Sequence, residues 1–126
     1  MPHLTLHYSA NLEPPPDAER LFGQLHATIA ALAKVEIAAF KSRAIRCDAF
    51  RVGDGAPQNA FAHLDLRLLS GRTAEEKARI ADATMAELDR YLAPSPGLDL
   101  QITLDLLDLD PNTYRKLARK GTPHEA

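Results

Sequence analysis

Residues 60–69 read AFAHLDLRLL, and this segment carries the clearest structural signal in the chain. Its small and aliphatic side chains alternate with polar or aromatic ones, and this two-residue period predicts a strand with one buried face. The predicted buried face carries Ala62, Leu64, Leu66 and Leu68. Ser70 and Gly71 interrupt the period, and Thr73 and Glu76 then form the pattern of a helix capping box. A strand followed at once by a helix is therefore predicted.

The residues after this capping box complete a strand–helix–strand unit. Apolar side chains recur at helical spacing, so the predicted inward face of the helix carries Ile80, Ala83, Thr84, Leu88 and Tyr91. Residues 94–97 read PSPG and end the helix, and the alternation over residues 98–106 predicts a further strand. Such a unit pairs its two strands in parallel through a right-handed crossover.

The same order of elements occurs earlier in the chain. Residues 2–9 alternate like a strand, and Asp17 is placed to cap a helix after the run of prolines at 14–16. The predicted inward residues of this helix are Leu21, Phe22, Leu25, Ile29 and Leu32. Residues 38–52, of mixed polarity, are predicted to form the next strand, and residues 53–57 form a loop.

These patterns predict one domain over residues 1–126, built from pseudo-repeat halves 2–52 and 60–108 and a short C-terminal helix over 111–119. The fold class is α+β with two layers: tandem β-α-β units form a four-stranded sheet with two helices on one face. The other sheet face is then uncovered, and it includes Phe61 and Leu107. We therefore expect other copies of the chain to cover it.

Composition excludes several classes of protein. The 126 residues are 45% hydrophobic and 25% charged, which is ordinary for a globular domain. A net charge of −2 argues against a nucleic-acid partner, and no apolar run is long enough to predict a membrane span. Residues 1–10 show no secretory signal, and the single cysteine excludes an internal disulfide, so a cytoplasmic location is expected.

Metal and nucleophile chemistry have little support. His3 and His7 are four residues apart on a predicted strand, roughly 13 Å, too far to share one ion. No Cys-x-x-Cys or His-Glu-x-x-His motif is present, so no metal is predicted. Cys47 lies next to Asp48, which would raise the thiol pKa, and we interpret it as a small buried residue.

Pro2 is the first candidate for catalysis. Methionine before a small residue is normally removed, which would leave a free prolyl nitrogen at the end of the chain, where the first strand begins. A free α-amine titrates near ~8. An apolar or cationic pocket lowers this pKa and makes the amine a neutral base at physiological pH. The alternative is that proline at this position has no function.

Cations at the edges of predicted strands are the second feature. Lys41 and Arg43 are two residues apart and therefore share one strand face, as a carboxylate clamp would require. Arg72 precedes a helix N-terminus, where its guanidinium and the helix amides together favour an anion. Arg46 belongs to the same set. The alternative for each is an ordinary solvated charge.

Four short segments together resemble a known family. They are MPHL at residues 1–4, FKSRA at 40–44, AFAHL at 60–64 and GRT at 71–73. Their order and spacing, with the doubled strand–helix–strand layout, resemble the tautomerase superfamily, most closely the 5-carboxymethyl-2-hydroxymuconate isomerases, over about residues 1 to 118. The resemblance implies a homotrimer, an N-terminal proline as general base and acid, and cations that bind substrate carboxylates. It implies no cofactor and no metal.

The resemblance carries over residue by residue to Pro2 as the base and Arg72 as the arginine before the second helix. Lys41 stands where better-known members have arginine, and lysine keeps the charge but loses the bidentate fork, so either Lys41 or Arg43 takes that role. The implied reaction isomerises a polycarboxylated hydroxymuconate in homoprotocatechuate degradation. The alternatives are a superfamily enzyme for a smaller unsaturated or keto acid, and a non-catalytic trimeric binding module.

Overall fold

The computed structural model describes residues 1–92 and 95–122. Four strands and two helices follow one another as β1 (His3–Ser9), α1 (Ala18–Ala33), β2 (Lys41–Cys47), β3 (Asn59–Leu69), α2 (Ala74–Tyr91) and β4 (Asp99–Leu109). The strands form one sheet in the order β2-β1-β3-β4. β1 pairs with β2, and β3 with β4, in parallel, whereas the central pair β1 and β3 is antiparallel. This α+β arrangement of two β-α-β units confirms the predicted fold class.

Both helices pack on the same sheet face, which holds the core. Alternate residues of the two central strands are fully buried there, as the alternation at 60–69 predicts: Leu4, Leu6, Ala62, Leu64, Leu66 and Leu68. The helices contribute Leu21, Leu25, Ile29, Ile80 and Leu88 to the same cluster. Leu32 was predicted to face inward and is 41% exposed. That prediction was wrong because the buried stripe of α1 continues from Ile29 to Ala33 instead.

Polar side chains hold the helix ends. The Asp17 carboxylate accepts the Arg20 N–H at the start of α1, and Thr73 and Glu76 form the predicted capping box of α2. α2 ends at Tyr91. Of the predicted turn at 94–97, Pro94 lies outside the described residues. No helix within the described part of the chain is long and apolar enough to cross a membrane.

The second predicted strand is shorter than expected. A single 3₁₀ turn, Ile37–Ala39, occupies its first residues, and β2 ends at Cys47 instead of residue 52. The pairing register explains the end, because Ser9 pairs with Cys47 and is the last residue of β1. Residues 48–52 therefore have no partner strand on this side.

The centre of the open sheet face is polar. The central strands present His3, Thr5, His7, His63, Asp65 and Arg67 on it, opposite in phase to the buried leucines. His63 bonds to Thr103 Oγ1 at 2.6 Å through Nδ1 and to Asp65 Oδ1 at 2.9 Å through Nε2. The centre of this face is therefore polar, although the predicted apolar residues Phe61 and Leu107 also lie on it.

The predicted C-terminal helix over 111–119 is absent. The Asp110 carbonyl accepts the Tyr114 N–H at 2.9 Å, and its carboxylate accepts the Asn112 N–H at 2.9 Å, which forms one turn. The chain then continues without helical hydrogen bonds to residue 122. A tertiary contact competes with the helix, because the Tyr114 hydroxyl forms a 2.9 Å hydrogen bond with His3 Nε2 at the start of β1.

Candidate active site

The amino end of the chain is held firmly against the sheet. Pro2 is fully buried and directly precedes β1. Its carbonyl accepts the backbone N–H of Lys41 at 3.2 Å. The pairing of β1 with β2 therefore fixes both the position of Pro2 and the first residue of β2.

The electrostatic surroundings of the chain end favour a neutral amine. Burial lowers the pKa of the Met1 α-amino group below its ordinary value, and the charges of Lys41, Arg72 and Lys116 lower it further. If Met1 is removed, the terminal amine becomes that of Pro2, and we expect the same cations to act on it. The site therefore combines an α-amino group of lowered pKa with a cluster of positively charged side chains.

Lys41 and Arg43 share the open sheet face, as predicted, because they pair with His3 and Thr5 in register. Their contacts differ. Lys41 Nζ donates to the Ala39 carbonyl at 2.9 Å, and its charge acts on the chain terminus. Arg43 Nη1 donates to Thr5 Oγ1 at 3.2 Å, and its Nη2 lies 3.5 Å from His3 Nδ1. The geometry thus places Lys41 with the amine and Arg43 along the strand with His3.

Arg72 lies near the amine, but its surroundings differ from the prediction. Its Nη1 donates to the Leu69 carbonyl and its Nη2 to the Ala33 carbonyl, both at 2.9 Å, which ties the end of β3 to the end of α1. The capping box already uses amides of the first turn of α2, since the Thr73 N–H bonds to Glu76 and the Glu76 N–H to Thr73.

Glu76 also opposes an anion at this helix end. The hydrogen bond from the Thr73 backbone, followed by that from its side chain, lowers the pKa of Glu76 and keeps the carboxylate ionised. The Glu76 carboxylate therefore competes with an anion for this helix end, and the assistance of helix amides to Arg72 stays a prediction. Arg72 itself supplies positive charge beside the terminus.

Two residues of this region have no signal in the sequence pattern. Lys116 Nζ lies 3.8 Å from Met1 Sδ, and Tyr114 contacts His3, with ring centroids 5.9 Å apart in an edge-on arrangement. Each of these contacts joins residues more than a hundred positions apart. The sequence analysis missed both contacts, because it predicted a helix over 111–119 and therefore only local hydrogen bonds for this segment.

A cleft of about 460 Å³ lies on the open sheet face beside the chain end. Its lining includes His3, Arg43, Arg67 and Tyr114. Burial lowers the pKa of His3, and the charges of Lys41, Arg43, the terminus and Arg67 add to the effect. His3 is therefore a neutral imidazole near pH 7, suited to its bond with Tyr114.

Other candidate chemistry is not assembled in the structure. Cys47 is half-buried, which makes it more exposed than the small buried residue that the sequence predicts. Among the residues that the structure describes, no three His, Cys, Asp or Glu side chains come together as metal ligands would.

The fold and the cations around the amino terminus define the class of protein. This is a tautomerase-fold protein with two β-α-β units in one chain. The family follows from sequence, because residues 2–119 match the family model for 5-carboxymethyl-2-hydroxymuconate isomerase. The chain belongs to the 5-carboxymethyl-2-hydroxymuconate isomerase family and is an isomerase of that family. The resemblance inferred from the sequence is thereby confirmed.

Individual relatives agree with this assignment. The chain is 28% identical over 93 residues to the 5-carboxymethyl-2-hydroxymuconate Delta-isomerase of Escherichia coli, with 74% of each chain covered. The crystal structure of a 5-carboxymethyl-2-hydroxymuconate isomerase from Deinococcus radiodurans R1 superposes with a TM-score of 0.82 at 28% identity. That match covers 94% of this chain and 90% of the other. A symmetric trimer of fused 4-OT shares the fold, with a TM-score of 0.62, 21% identity, and 84% and 85% coverage.

Proposed function

We propose that this chain is a cofactor-independent isomerase of 5-carboxymethyl-2-hydroxymuconate, acting in the cytoplasm in homoprotocatechuate degradation. In this proposal the Pro2 nitrogen, freed by removal of Met1, moves the proton. The observation that carries the proposal is the environment of the partly buried terminal amine, since burial and three cations lower the pKa of that amine on Met1, next to Pro2. Membership in the isomerase family supports the reaction class.

The reaction needs one base and no redox partner. Converting an enol into a conjugated ketone breaks one O–H bond and forms one C–H bond, while a double bond shifts. A neutral Pro2 amine accepts the hydroxyl proton and the resulting ammonium returns a proton to carbon. The ring of Pro2 and the hydrogen bond from Lys41 N–H to its carbonyl keep the nitrogen in one orientation.

The cations have separate roles in this mechanism. Negative charge grows on the dienolate as the proton leaves, and Lys41 and Arg72 stabilise it as neighbours of the amine. Lys41 acts as a point charge, without the fork of an arginine. Arg43, bonded to Thr5 and adjacent to His3, braces the strand and binds substrate less directly.

The proposal includes a homotrimer. β2 and β4 are the two edges of the sheet, and each has one unpaired side that a neighbouring copy can cover. The fused 4-OT structure shows that this fold can occur as a symmetric trimer. Sedimentation equilibrium at micromolar concentration tests the assembly, and a stable monomer would contradict it.

A direct assay tests the function. The chain is purified with Met1 removed, as verified by mass, and the ketonisation of 5-carboxymethyl-2-hydroxymuconate is followed by absorbance. The matched control is the same chain with an uncleaved N-terminal extension. We expect turnover in the processed chain and strong loss in the extended one. Absence of turnover in the processed chain contradicts the function, and equal turnover in both removes Pro2 from the mechanism.

A further inference from the structure

The segment after β4 folds back over the start of β1. The turn at Asp110 reverses its direction, and the half-buried Tyr114 then bonds to His3 Nε2 at 2.9 Å. Two residues further on, Lys116 Nζ lies 3.8 Å from Met1 Sδ. The end of the chain is thereby held against its beginning.

Lys116 is placed as a ligand-binding cation would be. A thioether is a weak hydrogen-bond acceptor, so it leaves most of the bonding capacity of the ammonium unused. The ion pairs of the described residues are Arg46–Asp48, His63–Asp65 and Lys77–Asp108, and none of these involves Lys116. Loss of Met1 would remove this thioether contact and leave the Lys116 ammonium available to a ligand.

The side chains that act on the charge of the terminus are all positive. Lys41, Arg72 and Lys116 all act on the terminal amine, and no carboxylate of the described chain has a counteracting effect on it. Such a concentration of one sign attracts ligands of the opposite charge. A ligand with several carboxylates would neutralise it best.

The substrate of the proposed function has one carboxylate for each cation. 5-Carboxymethyl-2-hydroxymuconate carries three carboxylates, one more than 2-hydroxymuconate, which lacks the carboxymethyl group. We propose that Lys116 binds a substrate carboxylate and gives the enzyme its preference for tricarboxylates. Tyr114 positions Lys116, because its bond to His3 holds this segment against the start of β1. This inference rests on the proposed function and adds a specificity-determining residue to it.

Steady-state kinetics on both substrates test the inference in Lys116→Ala. We expect KM for the tricarboxylate to rise about 10- to 100-fold, the usual effect of losing a hydrogen bond to a charged group. We expect kcat and the constants for 2-hydroxymuconate to change by much less, only by as much as the loss of one charge alters the pKa of the terminal amine. Lys116→Arg should keep the preference. Lys120→Ala removes the same charge from an exposed lysine four residues on and serves as the matched control.

Equal changes for both substrates, or an equal effect of Lys120→Ala, would overturn the inference. Calorimetry with tricarballylate, an unreactive tricarboxylate, separates it from the proposed function. If the unmodified chain turns over neither hydroxymuconate but binds tricarballylate more tightly than Lys116→Ala does, the proposed function fails and the Lys116 site stands. If tricarballylate binds equally to both chains, the site fails.

Tyr114→Phe tests the positioning role. The variant keeps the ring and loses the hydroxyl that bonds to His3. We expect it to raise KM for the tricarboxylate with kcat unchanged, and to have no further effect in a Lys116→Ala background. A fall in kcat for both substrates alike would show that Tyr114 only stabilises the fold.

Discussion

The two edge strands occupy equivalent places in the two halves, yet they differ in character. β2 is seven residues long, mostly exposed, and carries Lys41, Arg43 and Arg46. β4 is eleven residues long, and its helix-facing side is half-buried against the core, through Leu100, Ile102, Leu104 and Leu106. The two β-α-β units therefore have the same backbone arrangement, but the edge strand of the first carries charged side chains and that of the second packs apolar ones against the core.

The position of the chain terminus explains this difference. β1 begins at the terminus and pairs directly with β2, so cations on β2 lie beside the amine. β4 pairs with β3, which begins at an internal residue and offers no amine. Arg72 connects the halves, because it reaches from the end of β3 to the last carbonyl of α1.

The largest expected effect concerns Pro2, which exists only in the first half. In the processed chain, Pro2→Ala should lower kcat by about 10²- to 10⁴-fold, the range for loss of a positioned general base. A primary amine differs in basicity and is less rigid. Thermal melting followed by circular dichroism should be unchanged. Full activity of Pro2→Ala would place the base elsewhere.

Next in size are the cations. Lys41→Ala and Arg72→Ala should each reduce kcat/KM by an amount equivalent to about 2–4 kcal/mol. Arg43→Ala should cost less, and Lys41→Arg should be tolerated, because the guanidinium restores a carboxylate fork. If Arg43→Ala were the most damaging and Lys41→Ala nearly neutral, the clamp would lie two residues further along β2.

Stability should show the opposite asymmetry between the edges. Leu104→Ala on β4 should lower the free energy of unfolding by about 1–3 kcal/mol, below the full range for buried leucine because the site is half-buried. Ile45 on β2 is 42% exposed, so Ile45→Ala should cost about 0.5 kcal/mol or less. Urea titrations of both variants measure the difference. Equal losses would mean that β2 is also packed, as trimer contacts could achieve.

The smallest effect is a displacement of the pH profile. The terminal amine is active when deprotonated, and kcat/KM therefore rises with pH through its pKa. Burial and three cations lower the pKa of the Met1 amine, and in the processed chain we expect the same cations to act on the Pro2 amine, so removing one of them raises its pKa and moves the acidic limb to higher pH. We expect the displacement to decrease from Lys41→Ala to Arg72→Ala to Lys116→Ala, with Lys120→Ala as the control. A limb that moves to lower pH would contradict the assignment of the amine as base.

Local pattern was sufficient for most of the fold. The alternation at 60–69 determined which leucines of β3 are buried, and Asp17, Thr73 and Glu76 cap the helices where their spacing predicts. It also placed Lys41 and Arg72 among four candidate cations, and the structure brings these two close enough to the terminus to act on its amine. These features depend on residues a few positions apart, whose geometry the backbone repeats dictate.

Tertiary structure alone decided what depends on distant residues. Tyr114 forms its bond with His3 instead of a helix, and Lys116 comes to lie beside Met1. Each of these outcomes is a competition between a local hydrogen bond and a contact made available by the folded chain. Sequence periodicity predicts the local hydrogen bonds of a helix. It carries no information about the distant contact, because the partner residue comes close only after the sheet has formed.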